Sequence, residues 1–321
     1  MQVVQTKKIK QWVVLGTGGT IAGTAASASD HTGYTAAQLG VAQLMSALPG
    51  IDKVLDGDRL EVEQLAQLDS KDMDHATWQR LAQRCQHWLA QPDVGGIVIT
   101  HGTDTLEETA WFLQQVLRTT QPVVLTCAMR PATALAPDGP QNLLDALTVV
   151  RHPQAQGVLA VCAGRIHSAR DVQKVHPYRL DAFSSGEAGP LGWVEQGEVR
   201  WSGPCHAPEP HAHAGNALAL PAADWPWIEV LHSHAGADAR RVHALVTAGV
   251  KGLVVAGTGN GTVHHSLLAA LTEAQAQGVV VRLTTRCPQG QIVGQSAALQ
   301  TAPGGLNAYK ARVSLMLDLM K

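Results

Sequence analysis

The chain predicts an α/β protein: a larger N-terminal, doubly wound, mainly parallel sheet followed by a smaller C-terminal α/β domain. Three observations carry this expectation. Short β-branched runs alternate with amphipathic stretches along most of the 321 residues. Two of the runs leave into glycine-rich turns, TGGTIAG at residues 17–23 and HGTDTLEET at residues 101–109. In open α/β sheets such turns sit at the carboxyl ends of buried strands, where ligands collect. A break in composition near Ser202 separates the two halves.

Strands are expected at residues 12–15, 61–65, 96–100, 122–126 and 157–161. Helices are expected at 76–89, 106–118 and 139–150 from their amphipathic period. Thr105 opens the second helix, with Glu107 and Glu108 at the positive end of its dipole. Pro140, just after Asp138 and Gly139, marks the start of the third. Residues 204–224 are rich in Pro, Ala, Gly and His without helical or strand period, and read as a connection. That divides an N-terminal catalytic domain (1–203) from a C-terminal one (225–321). The latter should hold strands at 228–231, 252–256 and 279–283 and helices at 237–248, 262–275 and 308–319.

Composition narrows the function. With 45% apolar and 16% charged residues the chain suits a soluble globular protein, and a formal charge of −2 gives no basic field for nucleic acid. No apolar run reaches the ~18–20 residues of a membrane span, and MQVVQTKKIKQW at the start lacks the apolar core of a signal peptide. A cytoplasmic location is expected, or a periplasmic one if a signal has been removed. Five scattered cysteines (Cys85, Cys127, Cys162, Cys205, Cys287), with no CxxC pair, read as free thiols.

Thr20 and Thr103 each sit in one of the two turns. A lone threonine there reads as a cap or turn hydroxyl. Two of them, with Asp104 beside the second, suggest threonine-based nucleophilic chemistry. A hydroxyl needs a partner to take its proton, and Lys174, beyond the strand at 157–161, falls on the same rim of the sheet. His101 is the only histidine in either turn and sits at the strand end. Tyr34 lies in the small-residue segment 23–40, which is either a lid that brings a phenol to Thr20 or a surface loop. The dinucleotide fingerprint fails, because its third glycine position holds Ile21, and GTGNG at 257–261 fails the same spacing. His206, His211, His213, His232 and His234 lack zinc-site spacing, so no metal is assigned.

On these residues the chain resembles the bacterial-type L-asparaginase family over essentially its full length. TGGTIAG and THGTDTLEET match the two family signatures. Tyr34, SKDM at 70–73, CAMRP at 127–131, Asp138-Gly-Pro140, Asn142, Arg170, Asp171, Lys174, GPLG at 189–192 and GTGNG at 257–261 continue the match in order. The resemblance implies hydrolysis of L-asparagine to L-aspartate and ammonia, without a cofactor, by a homotetramer arranged as a dimer of dimers. It implies Thr20 as the nucleophile, Tyr34 as the lid phenol bonded to it, and Thr103, Asp104 and Lys174 as a second threonine with its activating partners. Ser70 and Asp104 would hold the substrate's α-carboxylate and α-ammonium, and the Ala128 carbonyl would face the leaving amide. Gly19, Lys71, Gly102 and Asn260 complete the implied substrate-binding set. The residue types agree: an oxyanion needs backbone N–H donors such as the Gly102–Thr103 turn offers, and an ammonium needs an acid such as Asp104.

The chain departs from the family pattern in four places. Lys71 stands where many secreted members carry glutamine, and it would repel an α-ammonium unless it turned to solvent. Residues 289–300 lack the glutamate that several members lend to a neighbouring subunit. Thr262 replaces the second asparagine of the GNGN motif, and Cys85 has no partner near Thr119. Asp104 is then the main countercharge for the ammonium, so asparagine should be strongly preferred and glutaminase activity weak. The alternatives are a dual-specificity glutaminase-asparaginase, the amidase subunit of a tRNA-dependent amidotransferase, and a non-catalytic amino-acid-binding module.

Overall fold

The computed structural model describes residues 9–205, 209–294, 296 and 298–320. One unit comprises Met1–Ser185 with Gly189–Glu209, the other Gly186–Ala188 with Pro210–Lys321. The first is built in the order β1 (Gln11–Gly18), α1 (Val41–Ser46), α2 (Ile51–Leu55), β2 (Arg59–Leu68), α3 (His75–Leu89), β3 (Val94–Thr100), α4 (Leu106–Val116), β4 (Val123–Thr126), α5 (Gly139–Arg151) and β5 (Val158–Cys162). Then come β6 (Arg165–Ser168), β7 (Gln173–Lys174), β8 (Phe183–Ser184), β9 (Gly192–Glu195) and β10 (Glu198–Trp201).

Eight of these strands form one sheet in the order β10-β9-β6-β5-β4-β3-β1-β2. β2, β1, β3, β4 and β5 are parallel to one another. β6, β9 and β10 extend the sheet antiparallel, an addition to the expected parallel core. β1 and β3 are neighbours, and the chain winds outward from them in opposite directions. That is the topological switch point of such a sheet, and both signature turns leave the sheet there.

Alternate residues of the strands face opposite helix layers. Val14, Val98, Val124, Leu159 and Val161 pack with Leu143, Ala146 and Leu147 of α5 and with Val41, Met45 and Leu55 of α1 and α2. α3 and α4 cover the other face, joined where Trp78 stacks on Phe112 and donates its indole N–H to Thr109. The connections β1–β2, β2–β3 and β3–β4 therefore share one hand, whereas β4–α5–β5 has the opposite hand. About 98% of such crossovers are right-handed, so this one is the exception, and it has a consequence. It brings the start of α5 to the Thr20 side of the sheet: a Cβ at Gly139 would lie 2.9 Å from Ile21 and 3.6 Å from Ala128.

In the second unit β11 (Ile228–His232), β12 (Gly252–Gly257) and β13 (Val280–Thr285) form a parallel sheet. α7 (Arg240–Thr247) and α8 (His265–Ala276) supply Val242, Leu267 and Leu271 to one core, and α9 (Ala308–Asp318) packs on all three strands. The reading of 204–224 as lacking regular structure needs correction. α6 (Ala214–Ala219) and a 3₁₀ turn at Ala222–Asp224 lie within it. Pro210 onward groups with the C-terminal unit: Asn216 Nδ2 donates to Met320 O at 2.7 Å and His211 Nε2 to Asp318 Oδ1 at 2.9 Å. A six-residue helix is too short to display a period. His206 lies outside the described residues.

Candidate active site

The first turn is forced by glycine. Gly18 and Gly19 both have positive φ, at 102° and 82°, which L side chains rarely adopt. A Cβ at Gly19 would collide with the backbone of Gly102, and one at Gly102 would come within 2.5 Å of Ser70 Oγ. The two signature turns and the Ser70 segment after β2 are thus in mutual contact, at distances only glycine permits. Thr17 Oγ1 donates to Thr100 O at 2.8 Å and ties together the ends of β1 and β3.

Thr20 follows this turn, buried, and its hydroxyl lies 2.6 Å from the Tyr34 phenol. The segment bearing Tyr34 is closed at its base by a two-bond bridge between Thr24 and Thr35, each 2.9 Å. Gly23 O and Ala28 O accept further bonds from Ala132 and Leu135 N–H. These bonds hold the segment where its phenol meets the Thr20 hydroxyl.

In the second turn, Lys174 Nζ donates to Thr103 Oγ1 at 2.8 Å and to Asp104 Oδ1 at 2.6 Å, and Thr103 Oγ1 donates to Asp104 Oδ1 at 3.4 Å. The Thr103–Asp104–Lys174 group expected from the sequence is therefore assembled in space. The Lys174 side chain is 18% exposed and Asp104 50%, so the carboxylate opens to solvent while the ammonium sits behind it. Buried Glu107 accepts the Lys174 backbone N–H at 2.7 Å and fixes where that lysine starts. Glu107 was read only as a dipole carboxylate. Its spacing of three and six from the buried Ala110 and Leu113 was the signal that it faces inward.

His101 is fully buried, and its Nδ1–H donates to Gly102 O at 2.7 Å. Burial pushes its imidazole down to about 4, so it is neutral at pH 7 and serves as a fixed donor within the turn.

Ser70 is buried, and its Oγ accepts the Asp104 N–H at 3.1 Å, which leaves its own proton to donate. Its carbonyl accepts the Thr105 hydroxyl at 2.8 Å, so Thr105 locks α4 to the Ser70 segment. Of the two orientations left open for Lys71, the side chain takes the one toward solvent. Its ammonium pairs with Asp69 at 3.0 Å and Asp72 at 2.9 Å, with 61% of the side chain exposed. The repulsion expected of Lys71 is removed, because two adjacent carboxylates hold it in solvent.

Ala128 lies on a strap leaving β4. Met129 and Arg130 N–H both donate to the Asp138 carboxylate at 2.9 Å. Asn142 Nδ2 donates to Cys127 O at 2.9 Å and to Asp138 at 3.2 Å. Asp138 and Asn142, seen in sequence only as landmarks, are what shape this strap. Asn260 is in the C-terminal unit, where its amide pairs both ways with the Val293 backbone, at 2.9 and 2.8 Å.

These residues coincide with known families. Residues 11–206 match the model of the asparaginase N-terminal domain, and residues 227–321 that of the glutaminase/asparaginase C-terminal domain. The chain is 35% identical to a glutaminase-asparaginase of Pseudomonas fluorescens biotype A, over 99% of this chain and 89% of that protein. It is 36% identical to L-asparaginase 2 of Bacillus subtilis, over 96% of this chain and 82% of the relative. The crystal structure of a probable cytoplasmic L-asparaginase from Campylobacter jejuni superposes with a TM-score of 0.89 at 37% identity, covering 97% of this chain and 95% of that one. With both domains matched in order and the signature turns built into one neighbourhood, this chain belongs to the asparaginase family.

Proposed function

We propose that the protein hydrolyses L-asparagine to L-aspartate and ammonia through an ester on Thr20. The observation that carries this is the pairing of two threonine hydroxyls with separate proton-handling groups. Thr20 meets the Tyr34 phenol at 2.6 Å, Thr103 meets the Lys174 ammonium at 2.8 Å, and the two turns touch at Gly19 and Gly102. Thr20 Oγ1 adds to the carboxamide carbon and passes its proton by way of Tyr34 to the leaving nitrogen. The oxyanion is stabilised by N–H groups of the Gly102–Thr103 turn. Ammonia departs past the Ala128 carbonyl. Water, activated by the Thr103–Asp104–Lys174 group, then cleaves the ester and releases aspartate. Ser70 Oγ–H donates to the substrate's α-carboxylate, and the exposed half of Asp104 accepts its α-ammonium.

With Lys71 held by Asp69 and Asp72, the expectation of weak glutaminase activity rests on the missing acid in residues 289–300 alone. The second reading, dual specificity, is favoured by the name of the Pseudomonas relative. Ammonia release from asparagine and glutamine, compared side by side, decides between them: equal kcat/KM for the two sinks the asparagine-selective reading. Mass spectrometry of protein trapped with a slow asparagine analogue should find the acyl group on Thr20, and a label on Thr103 instead would reverse their roles.

We assign the protein to the cytoplasm, in line with the description of the Campylobacter protein. No helix among the described residues is long and apolar enough to cross a membrane. A homotetramer is expected from the family resemblance, and light scattering that found an active monomer would refute it.

A further inference from the structure

Cys127 and Cys162 were read as scattered free thiols, 35 positions apart. The fold makes them neighbours. Thr126 and Val161 are register partners across the parallel strands β4 and β5, so the next pair along is Cys127 and Cys162. Adjacent strands run ~4.8 Å apart, inside the Cα window of about 4.4–6.8 Å that disulfides use. In-register residues point to the same face, and here the sulfurs are 3.2 Å apart. Neither lies deep in the sheet: Cys162 is the last residue of β5, and Cys127 is the first after β4. Both are therefore at the carboxyl edge, and Cys127 stands one residue before Ala128.

We propose that Cys127 and Cys162 are a reversible redox couple that closes to a disulfide at the edge of the active site and lowers turnover. The effect on turnover rests on the asparaginase reading above; the bond itself does not. The oxidant class is a small peroxide. One sulfur attacks hydrogen peroxide, forming a sulfenic acid and releasing hydroxide, which takes a proton to become water. The second sulfur displaces the hydroxyl, forming the S–S bond, and a second water leaves. Two thiols are oxidised by two electrons, and one peroxide is reduced to two waters.

The coupling to the site is structural. Asn142 fixes both strand ends, donating to Cys127 O at 2.9 Å and accepting the Ala163 N–H at 3.0 Å. Closing from 3.2 Å to a bond of about 2.05 Å needs roughly 1.2 Å of movement. The backbone at Cys127 continues directly into the Ala128 strap, so that carbonyl and the Asp138 bonds beyond it must adjust. A misplacement of about 1 Å at a reacting centre lowers rates by up to about 10²-fold. The hydrogen bond with Cys162 and burial hold the Cys127 thiol well above its ordinary value, so the reaction is slow at neutral pH and speeds up in alkali. Cys85, buried with its thiol pushed up by desolvation, has no sulfur partner in the described structure.

The test begins with reduced full-length protein whose amide hydrolysis has been measured; absence of activity there would count against the functional reading and leave the bond untouched. The protein is exposed to hydrogen peroxide, quenched, denatured, alkylated and mapped by mass spectrometry. A peptide linking Cys127 to Cys162, a fall in turnover of about 10- to 100-fold and recovery with dithiothreitol are expected. Cys162→Ala should keep the starting activity and lose the peroxide response. The proposal is overturned if no linked peptide forms, if the link forms without loss of turnover, or if Cys162→Ala remains as sensitive as the parent.

Discussion

Two parallel sheets in this chain end in glycine-rich turns, and the turns are used differently. After β1, β2 and β3 the polar groups reach across to other segments: Thr20 to Tyr34, Ser70 to the Asp104 amide, Thr103 to Lys174. After β12 the partners are hydroxyls and backbone groups, with no charged side chain among them. Thr258 and Thr262 bond each other at 2.7 Å, Asn260 pairs with Val293, and Thr285 donates to Gly259 O at 2.7 Å. A glycine-rich strand exit is therefore not a site by itself. It becomes one when hydroxyls at the turn are met by titratable groups from separate segments, with lone pairs and protons left to offer.

The comparison is most easily broken at the threonines. Thr20→Ala and Thr103→Val should each reduce ammonia release by at least ~10³, the scale for members of an activated nucleophile unit, with an unchanged melting curve. Near-native turnover in either variant removes that residue from the mechanism.

His101 offers a test of what holds the second turn. Its folded value is about 4 against 6.5 when exposed, so it stays neutral in the fold while the unfolded chain takes up the proton. The stability it contributes is complete above pH 6.5 and is lost as the pH falls toward 4, by up to about 3 kcal/mol. Urea midpoints from pH 7 to 4.5 should show this decline, and it should flatten in His101→Asn. Parallel curves for the two proteins would assign the decline to other groups.

Removing the Glu107 carboxyl group leaves the Lys174 amide without this acceptor. Glu107→Ala should lower unfolding free energy by about 2–3 kcal/mol and kcat by about tenfold, while KM for asparagine moves little. A loss of stability with kcat intact would mean that Lys174 keeps its place without this anchor.

In the turn after β12 the effects should be smaller. Asn260→Ala breaks two exposed bonds to Val293 and should cost about 1 kcal/mol of stability. Asn260 was a substrate-binding candidate on resemblance. A rise in KM of tenfold or more, without that stability loss, would restore this role over the structural one. Smallest of all is Lys71→Gln, for which no change in the asparagine-to-glutamine ratio is expected. A ratio that shifts several-fold would show that Lys71 leaves its carboxylate partners when substrate binds.

Residue pattern alone specifies the parallel core, both signature turns, the C-terminal α/β unit and the pair of threonines with Asp104 and Lys174. These are legible because strand alternation, helical period and glycine turns are local properties, a few residues long. It also carried the resemblance that links motifs across the chain. Tertiary structure alone decided the rest. It turned Lys71 toward Asp69 and Asp72, set Glu107 beneath the Lys174 backbone, and engaged Asn260 with Val293. It added the antiparallel edge strands and reversed the crossover through α5, which sets the start of that helix beside Ile21 and Ala128. It also brought together two cysteines that sequence spacing kept apart. Apart from the Lys71 pairs, which join near neighbours in the chain, each of these depends on which groups meet across tens of residues, and register and handedness, not local propensity, decide such meetings.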